Sequence, residues 1–450
     1  MNQQNQMDRS ARVAIGFMLF ALFFGAGNLI FPAQLGQEAG TSLVPAISGF
    51  LLTGVGLPLL GILAIGFSGS ENLQHLASRV HPTYGLFFTS LLYLTIGPFF
   101  AAPRTGTVAY EIGIAPLIGD AAGQTALFIF TLVFFGITLF FSLYPTKLVD
   151  IIGKLLAPTL FVLLAILLAI AVFNPMGPIQ SPIEAYEEGA FIRGFLEGYN
   201  TMDALASLVF GMIVITSIHS FGLRTKGQVF IELSKSGLIA TVLLGIIYIG
   251  IAYLGATSVS TLGMFDNGGP VLNGAASHYF GTFGSLILMA VIMLACLTTA
   301  IGLVTANAEY FHMLFPKVSY RAFAIFFATL TFIIANFGLT NIINFSIPML
   351  MFLYPLAIVL MLLTFVAPLF NNARVIYVAT IAVTFVLSLV DGLVALCDSL
   401  DISFQWLASL TGFLDRILPF YSQGLGWLIP ALITIVISGI YAKVTKAEPA

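Results

Sequence analysis

The first apolar segment of the chain is interrupted. Val13 to Phe24 reads as one apolar helix, Gly25-Ala26-Gly27-Asn28 breaks it, and Leu29-Ile30-Phe31-Pro32 resumes it. An unpaired backbone group is costly in lipid. An unwound stretch at membrane depth is therefore confined to places where it lines a cavity or is buried in protein. Glycines there expose N–H and C=O groups able to hold a small zwitterion and a cation, and discontinuous helices of this kind are a device of secondary transporters.

Composition supports the membrane reading. Hydrophobic residues make up 59% of the 450 and charged residues 8%, against about 25% charged in a soluble domain. The net charge of -3 is too small to suggest nucleic acid as a partner. Cys296 and Cys397 both sit in apolar runs, which favours buried free thiols over a disulfide, and nothing resembles a metal site built from cysteine. The polar start, Met1 to Ser10, has no small-residue cleavage motif, so the first apolar segment is expected to be a retained helix.

A membrane span takes about 20 apolar residues. Twelve such segments are expected, near 13–35, 43–67, 84–106, 124–143, 147–173, 195–221, 236–257, 283–308, 319–337, 345–367, 374–397 and 424–443. The connection that carries Phe404-Gln405-Trp406-Leu407 reads as an interfacial helix. Charge sets the orientation. With the N-terminus in the cytoplasm, Arg9, Arg12, Arg79, Lys147, Lys154, Arg224, Lys226, Lys235, Lys317, Arg321, Arg374, Lys443 and Lys446 face inward, and only Arg104, Arg193 and Arg416 do not. Both termini are then cytoplasmic. The sixth segment carries a second run with Ser and Gly in mid-membrane, Asp203 to Gly211. Interruptions in spans one and six predict an inverted repeat of five plus five helices, about 13–173 and 195–367, in a single transporter domain over 1–450. The helices over about 374–443 are accessory.

Five features could carry chemistry. At Gly25, Ala26, Gly27 and Asn28 the amides would hold a carboxylate and the carbonyls a cation, aided by the positive end of the half-helix that begins there; close small-residue packing is the alternative. Ser207 to Gly211 reads as its symmetric counterpart, with small-residue packing again the alternative. In Ala295-Cys296-Leu297-Thr298-Thr299-Ala300 two adjacent hydroxyls offer hard oxygen ligands to a small cation; otherwise each Thr bonds its own helix. Arg104, beside Pro103, either gates an outer vestibule against Glu111 or snorkels to the interface. Asp203 either relays a proton or cation or caps a short helix with Thr201. The five histidines have no spaced metal partner, and no nucleophile–base or phosphate-loop set is present, so an enzyme is not expected.

FGAGNLIFP, IGPFFAAPRTGTVAYEIGI, GFLEGYNTMDALASLVFG and LACLTTAIGL, in this order, resemble the bacterial branched-chain amino acid:cation symporters, the BrnQ-type LIVCS family, across essentially the whole chain. A more distant resemblance reaches the LeuT-type fold of the amino acid–polyamine–cation superfamily. The resemblance implies an all-α polytopic protein of the bacterial cell membrane. It would take up L-leucine, L-isoleucine and L-valine with sodium or a proton as coupling ion, and need no other cofactor. It places Gly25 to Asn28, Ser207, Leu208 and Phe210 by the substrate. The carbonyls of Ala21, Phe24 and Ala295 and the hydroxyls of Thr298 and Thr299 fall at sodium, and Thr105 falls where relatives use a carboxylate-binding tyrosine. Leu205 stands where sodium-coupled carriers use a Thr, which puts a second sodium in doubt. The expectation is a sodium-coupled symporter working by alternating access. A proton-coupled symporter of the same fold is the alternative, and a channel, which would need a continuous pore, is the rival from another class.

Overall fold

The computed structural model describes residues 7–70, 72–143, 157–445 and 448, and they are almost wholly helical. The principal helices are α1 Arg9–Phe23, α2 Ala26–Ala39, α3 Leu43–Leu51, α4 Leu57–Ser68, α5 Pro82–Leu94, α6 Ala101–Val108, α7 Gln124–Ser142, α8 Ala157–Phe173, α9 Ala190–Glu197, α10 Asp203–Ser220, α11 Lys226–Leu262, α12 Gly269–Leu314, α13 Tyr320–Ala335, α14 Leu339–Val366, α15 Arg374–Ser399, α16 Gln405–Ile417 and α17 Leu428–Thr445. Among the described residues nine helical stretches are long and apolar enough to cross a membrane, and two shorter apolar helices, Pro158–Phe173 and Tyr320–Ala335, accompany them. Each of the twelve expected segments overlies helix. Lys147, Lys154, Lys446 and the start of the fifth segment lie outside the described residues.

The chain divides into two compact units. One comprises the described residues of Met1–Gly56, Leu94–Asp203 and Ser234–Ile343; the other those of Leu57–Tyr93, Ala204–Leu233 and Asn344–Ala450.

In the first unit small residues let backbones meet. A Cβ on Gly36 of α2 would collide with the Ala252 carbonyl of α11, and one on Gly255 of α11 with the Ala33 carbonyl of α2. Between helices in lipid no hydrophobic effect drives association, so such close packing carries the contact. The same device joins α3 to α9, where Gly49 meets the Phe191 carbonyl and Gly194 the Ala46 carbonyl. The third expected span is longer than its apolar core suggests. It runs from Pro82 to Ile118, with a π-helical stretch at Thr95–Phe99, then α6, then a second π-helical stretch at Ala109–Ile114. Gly97 is non-helical (φ -83°, ψ -118°) just before Pro98, which lacks an N–H for the helix. The eighth expected span is likewise a 46-residue helix, α12, kinked at Gly281 with φ +62°.

In the second unit α10 corrects an expectation. Ser207 to Gly211 is regular helix, not an unwound segment. Ser207 donates its hydroxyl to the Ala204 carbonyl at 2.7 Å, and the small residues serve close packing: a Cβ on Gly61 of α4 would strike Ser207 Oγ, and one on Gly211 would lie 3.2 Å from Ile65 Cβ. The sixth expected span is interrupted upstream, in the part that belongs to the first unit. There α9 ends at Glu197, Gly198–Thr201 forms a 3₁₀ turn, and Met202 is left-handed at φ +62°. Within the second unit, Arg79 donates to the Ser68 carbonyl at 3.0 Å and to Tyr377 Oη at 3.1 Å. The segment read as interfacial is helical, α16, with Leu407 buried and Trp406 and Phe413 exposed.

Gly36→Val and Gly255→Val are each expected to lower the melting temperature of the purified protein or abolish its recovery, because backbone cannot yield as a side chain can and overpacking costs roughly 1–3 kcal/mol or more. Gly245→Ala, in α11 with nothing within 4 Å of its Cβ position, is the control and should be mild. Equal behaviour of the three in a thermal-shift assay would refute close α2–α11 packing.

Candidate functional site

The break after α1 is built by hydrogen bonds that the helix gives up. Phe24 N–H still bonds the Phe20 carbonyl at 2.7 Å, but Phe24 leaves helical geometry (φ -74°, ψ 91°). The next bond of the series would run from Gly25 N–H to the Ala21 carbonyl. Gly25 N–H instead donates to Asn28 Oδ1 at 2.9 Å. A side chain three residues on thus caps the start of α2, the back-reaching half of a capping box. The last-turn carbonyls of α1, Ala21 among them, have no helical successor. Pro32 adds a further acceptor: it has no N–H, so the Asn28 carbonyl loses its i+4 partner. The first-turn N–H groups of α2 carry the positive end of its dipole.

Asn28 is held from both sides. Its amide nitrogen donates to Asp203 Oδ2 and to Tyr248 Oη, and Tyr248 in turn donates to Asp203 Oδ2 at 3.0 Å. Asn28, Asp203 and Tyr248 are 1%, 3% and 0% exposed, so every polar atom here needs a partner. Asp203 sits directly after left-handed Met202, and its own N–H is 3.4 Å from Thr201 Oγ1; the capping role considered from sequence is thus joined by a tie to the break. Tyr248 reaches inward from α11, its ring edge-on to Phe50 at 5.5 Å.

Arg104 is neither at an interface nor snorkelling. It is 2% exposed, on the first turn of α6, with its guanidinium carbon 5.0 Å from the centre of the Phe31 ring. A Cβ on Gly27 would lie 2.8 Å from Arg104 Nη2 and 3.2 Å from Phe31 Cε2. Glycine is therefore present at 27 to admit the guanidinium. Glu111, the partner weighed from sequence, instead takes a long contact of 3.4 Å from Asn267 Nδ2. Thr105, beside Arg104, is buried and donates to the Ala102 carbonyl at 2.6 Å.

Of the residues matched to the ion, Thr299 is the one seen against the break. A Cβ on Gly25 would meet Thr299 Oγ1 at 3.3 Å, and that hydroxyl is buried with no hydrogen-bond partner among the described residues. Thr298 donates to the Ala295 carbonyl at 2.9 Å, which leaves its oxygen lone pairs available but spends its hydrogen within α12. Ala21, Phe24 and Ala295 are buried. The structure so places Ala21, Phe24, Gly25, Ala26, Gly27, Asn28, Thr105, Ala295, Thr298 and Thr299 in one unit, with Thr299 against the break. Ser207, Leu208 and Phe210 belong to the second unit, all buried in α10. Sequence reasoning missed Tyr248. One tyrosine in a long apolar run gives no signal until a buried carboxylate is placed beside it.

Gly27→Val is expected to abolish uptake while leaving the protein inserted, since the far end of Arg104 and the Phe31 ring would be displaced but no backbone would be struck. Uptake normalised to membrane expression is the measurement, and near-normal transport would show that the guanidinium has no need of that space.

Residues 8–445 match the family model of the branched-chain amino acid transport proteins. The chain is 46% identical over 420 residues to the branched-chain amino acid permease BrnQ of Bacillus subtilis (strain 168), covering 93% of this chain and 94% of that one. It is 47% identical over 425 residues to BraB, a branched-chain amino acid permease of the same organism, covering 94% of each, and 38% identical over 431 residues to BrnQ of Escherichia coli (strain K12), covering 96% and 95%. Among solved structures it is similar to Mhp1, a nucleobase-cation-symport-1 family transporter in a closed conformation with bromovinylhydantoin bound. The TM-score is 0.63 at 14% identity, over 99% of this chain and 96% of that one, a likeness of fold alone. The chain is a multi-pass membrane protein and no enzyme, and it belongs to the branched-chain amino acid transport protein family.

Proposed function

We propose that the protein takes up branched-chain amino acids, coupled to sodium, by alternating access across the bacterial cell membrane. The observation that carries the reading is the broken first helix: Gly25 N–H goes to Asn28 instead of to Ala21, next to the buried hydroxyl of Thr299, which has no hydrogen-bond partner among the described residues. Carbonyl and hydroxyl oxygens are the donors a small hard cation takes. In this reading the carbonyls of Ala21, Phe24 and Ala295 and the hydroxyls of Thr298 and Thr299 hold sodium, and the freed amides around Ala26 to Asn28 meet the substrate. Leu208 and Phe210 supply apolar surface that reads the side chain, and Ser207 and Thr105 are further candidates for the substrate's surroundings. The names of the relatives support leucine, isoleucine and valine as substrates. Two repeats of five helices, two accessory helices and cytoplasmic termini complete the proposal, which the positive-inside charge pattern supports. Proton coupling is the second reading, favoured by the buried carboxylate of Asp203 at the break.

Uptake of labelled leucine into proteoliposomes, with and without an inward sodium gradient, tests the proposal; uptake indifferent to sodium but driven by a proton gradient would select the second reading. Thr298→Ala and Thr299→Ala are each expected to raise the sodium concentration needed for half-maximal uptake, with less effect at saturating sodium. The loss of one buried polar partner is worth about 1–3 kcal/mol. Unchanged sodium dependence in both variants would remove these hydroxyls from the ion site.

Discrimination by an apolar pocket is modest, about 1–3 kcal/mol per methylene. Leucine, isoleucine and valine should therefore compete with one another, while aspartate, lysine and glycine compete poorly. Strong inhibition by lysine or aspartate would contradict a pocket of this kind.

A further inference from the structure

A zwitterion that leaves water for a buried site brings two full charges with it. Helix-end dipoles offer partial charges, about half an elementary charge each, and a buried charge is stabilised far better by an opposite full charge in good geometry. The break is bordered by one of each sign. Arg104 comes from the third span and packs on Gly27, the second residue of α2. Asp203 comes from the interruption of the sixth span and bonds Asn28, the next residue along. A cation and an anion so reach consecutive residues of one helix start, from two separate segments, and both are almost wholly buried. Ionisable groups inside a membrane protein are expensive, and they face functional cavities or one another.

We infer that Arg104 and Asp203 form a charge clamp for the two ends of the transported amino acid: the guanidinium takes the carboxylate and the Asp203 carboxylate takes the ammonium group. The inference rests on the reading that an α-amino acid is the substrate, and it adds side-chain charges to the backbone groups. Arg suits the first task because its planar fork matches a carboxylate in two hydrogen bonds. Asp203 suits the second because the Asn28 and Tyr248 bonds both fall on Oδ2; a carboxylate oxygen pair accepts about four hydrogen bonds in all. The Phe31 ring, with its centre 5.0 Å from the guanidinium carbon, backs the cation from one side.

The test uses the purified full-length protein and three ligands of similar side chain: leucine, 4-methylpentanoate, which lacks the ammonium group, and 3-methylbutylamine, which lacks the carboxylate. Their binding is measured by competition against labelled leucine. Wild type should prefer leucine over each analogue by roughly 100-fold or more, since truncating one partner of a buried charge pair costs a few kcal/mol. Asp203→Asn should collapse the preference over 4-methylpentanoate while keeping that over 3-methylbutylamine, and Arg104→Gln should do the reverse. This crossed pattern supports the clamp. A loss of affinity for all ligands with unchanged ratios would mean that the two charges only hold the fold, and would overturn it. If one single variant is not recovered folded, the other decides. If neither is, the Arg104→Gln, Asp203→Asn double variant, which leaves net charge unaltered, decides: loss of both preferences supports the clamp, and their retention overturns it. Wild-type protein that binds no leucine would instead overturn the substrate reading, and the clamp with it.

Discussion

One side chain stands in for backbone at the centre of this protein. Asn28 accepts the N–H that Gly25 would otherwise give to Ala21, and it spends its donors on Asp203 and Tyr248. Without it the break would hold a buried N–H without this partner and a buried carboxylate with one hydrogen bond fewer, and a lost buried partner costs about 1–3 kcal/mol. With it, three segments distant in sequence are fastened to the few residues where the first helix is discontinuous. The irregular backbone that lipid forbids is thereby admitted, because protein surrounds it on every side that the described residues define.

Much of this was legible in the sequence. The break at Gly25–Asn28 announces itself because glycine and asparagine stand out against an apolar run, and the helical segments follow from their length. The limits are equally physical. Ser207 to Gly211 carries the same small residues as a break, yet it is regular helix, because small residues serve close packing as readily as unwinding. The true interruption lies at Gly198–Met202, where a methionine in a left-handed conformation is a strained choice that no composition rule foretells. Arg104 was read as an outer or interfacial residue because arginine is costly in a membrane; only the placement of Phe31 and Gly27 reveals the pocket that receives it.

The glycines illustrate how one residue type answers different demands. Gly36 and Gly255 are small because a neighbouring carbonyl lies where a side chain would stand, whereas Gly27 is small because a guanidinium does. The first pair sets how near two helices lie. The last decides which charge lies beside the substrate's expected path. Sequence alone shows only that each is glycine.

The π-helical stretches on either side of α6 have a geometric consequence. A π-turn carries one residue more than the α-turn it replaces, and each residue of an α-helix advances the face by about 100°. The stretch at Thr95–Phe99 therefore sets the azimuth of everything beyond it, including the side of the helix from which Arg104 projects. Gly97 is non-helical and Pro98 has no N–H, and a Cβ at Gly97 would strike the Asn307 side chain of α12, so a side chain at that joint would push the joint, and with it the guanidinium beyond, out of place. An apparent irregularity of the third helix is in this sense the coordinate that aims its only buried cation.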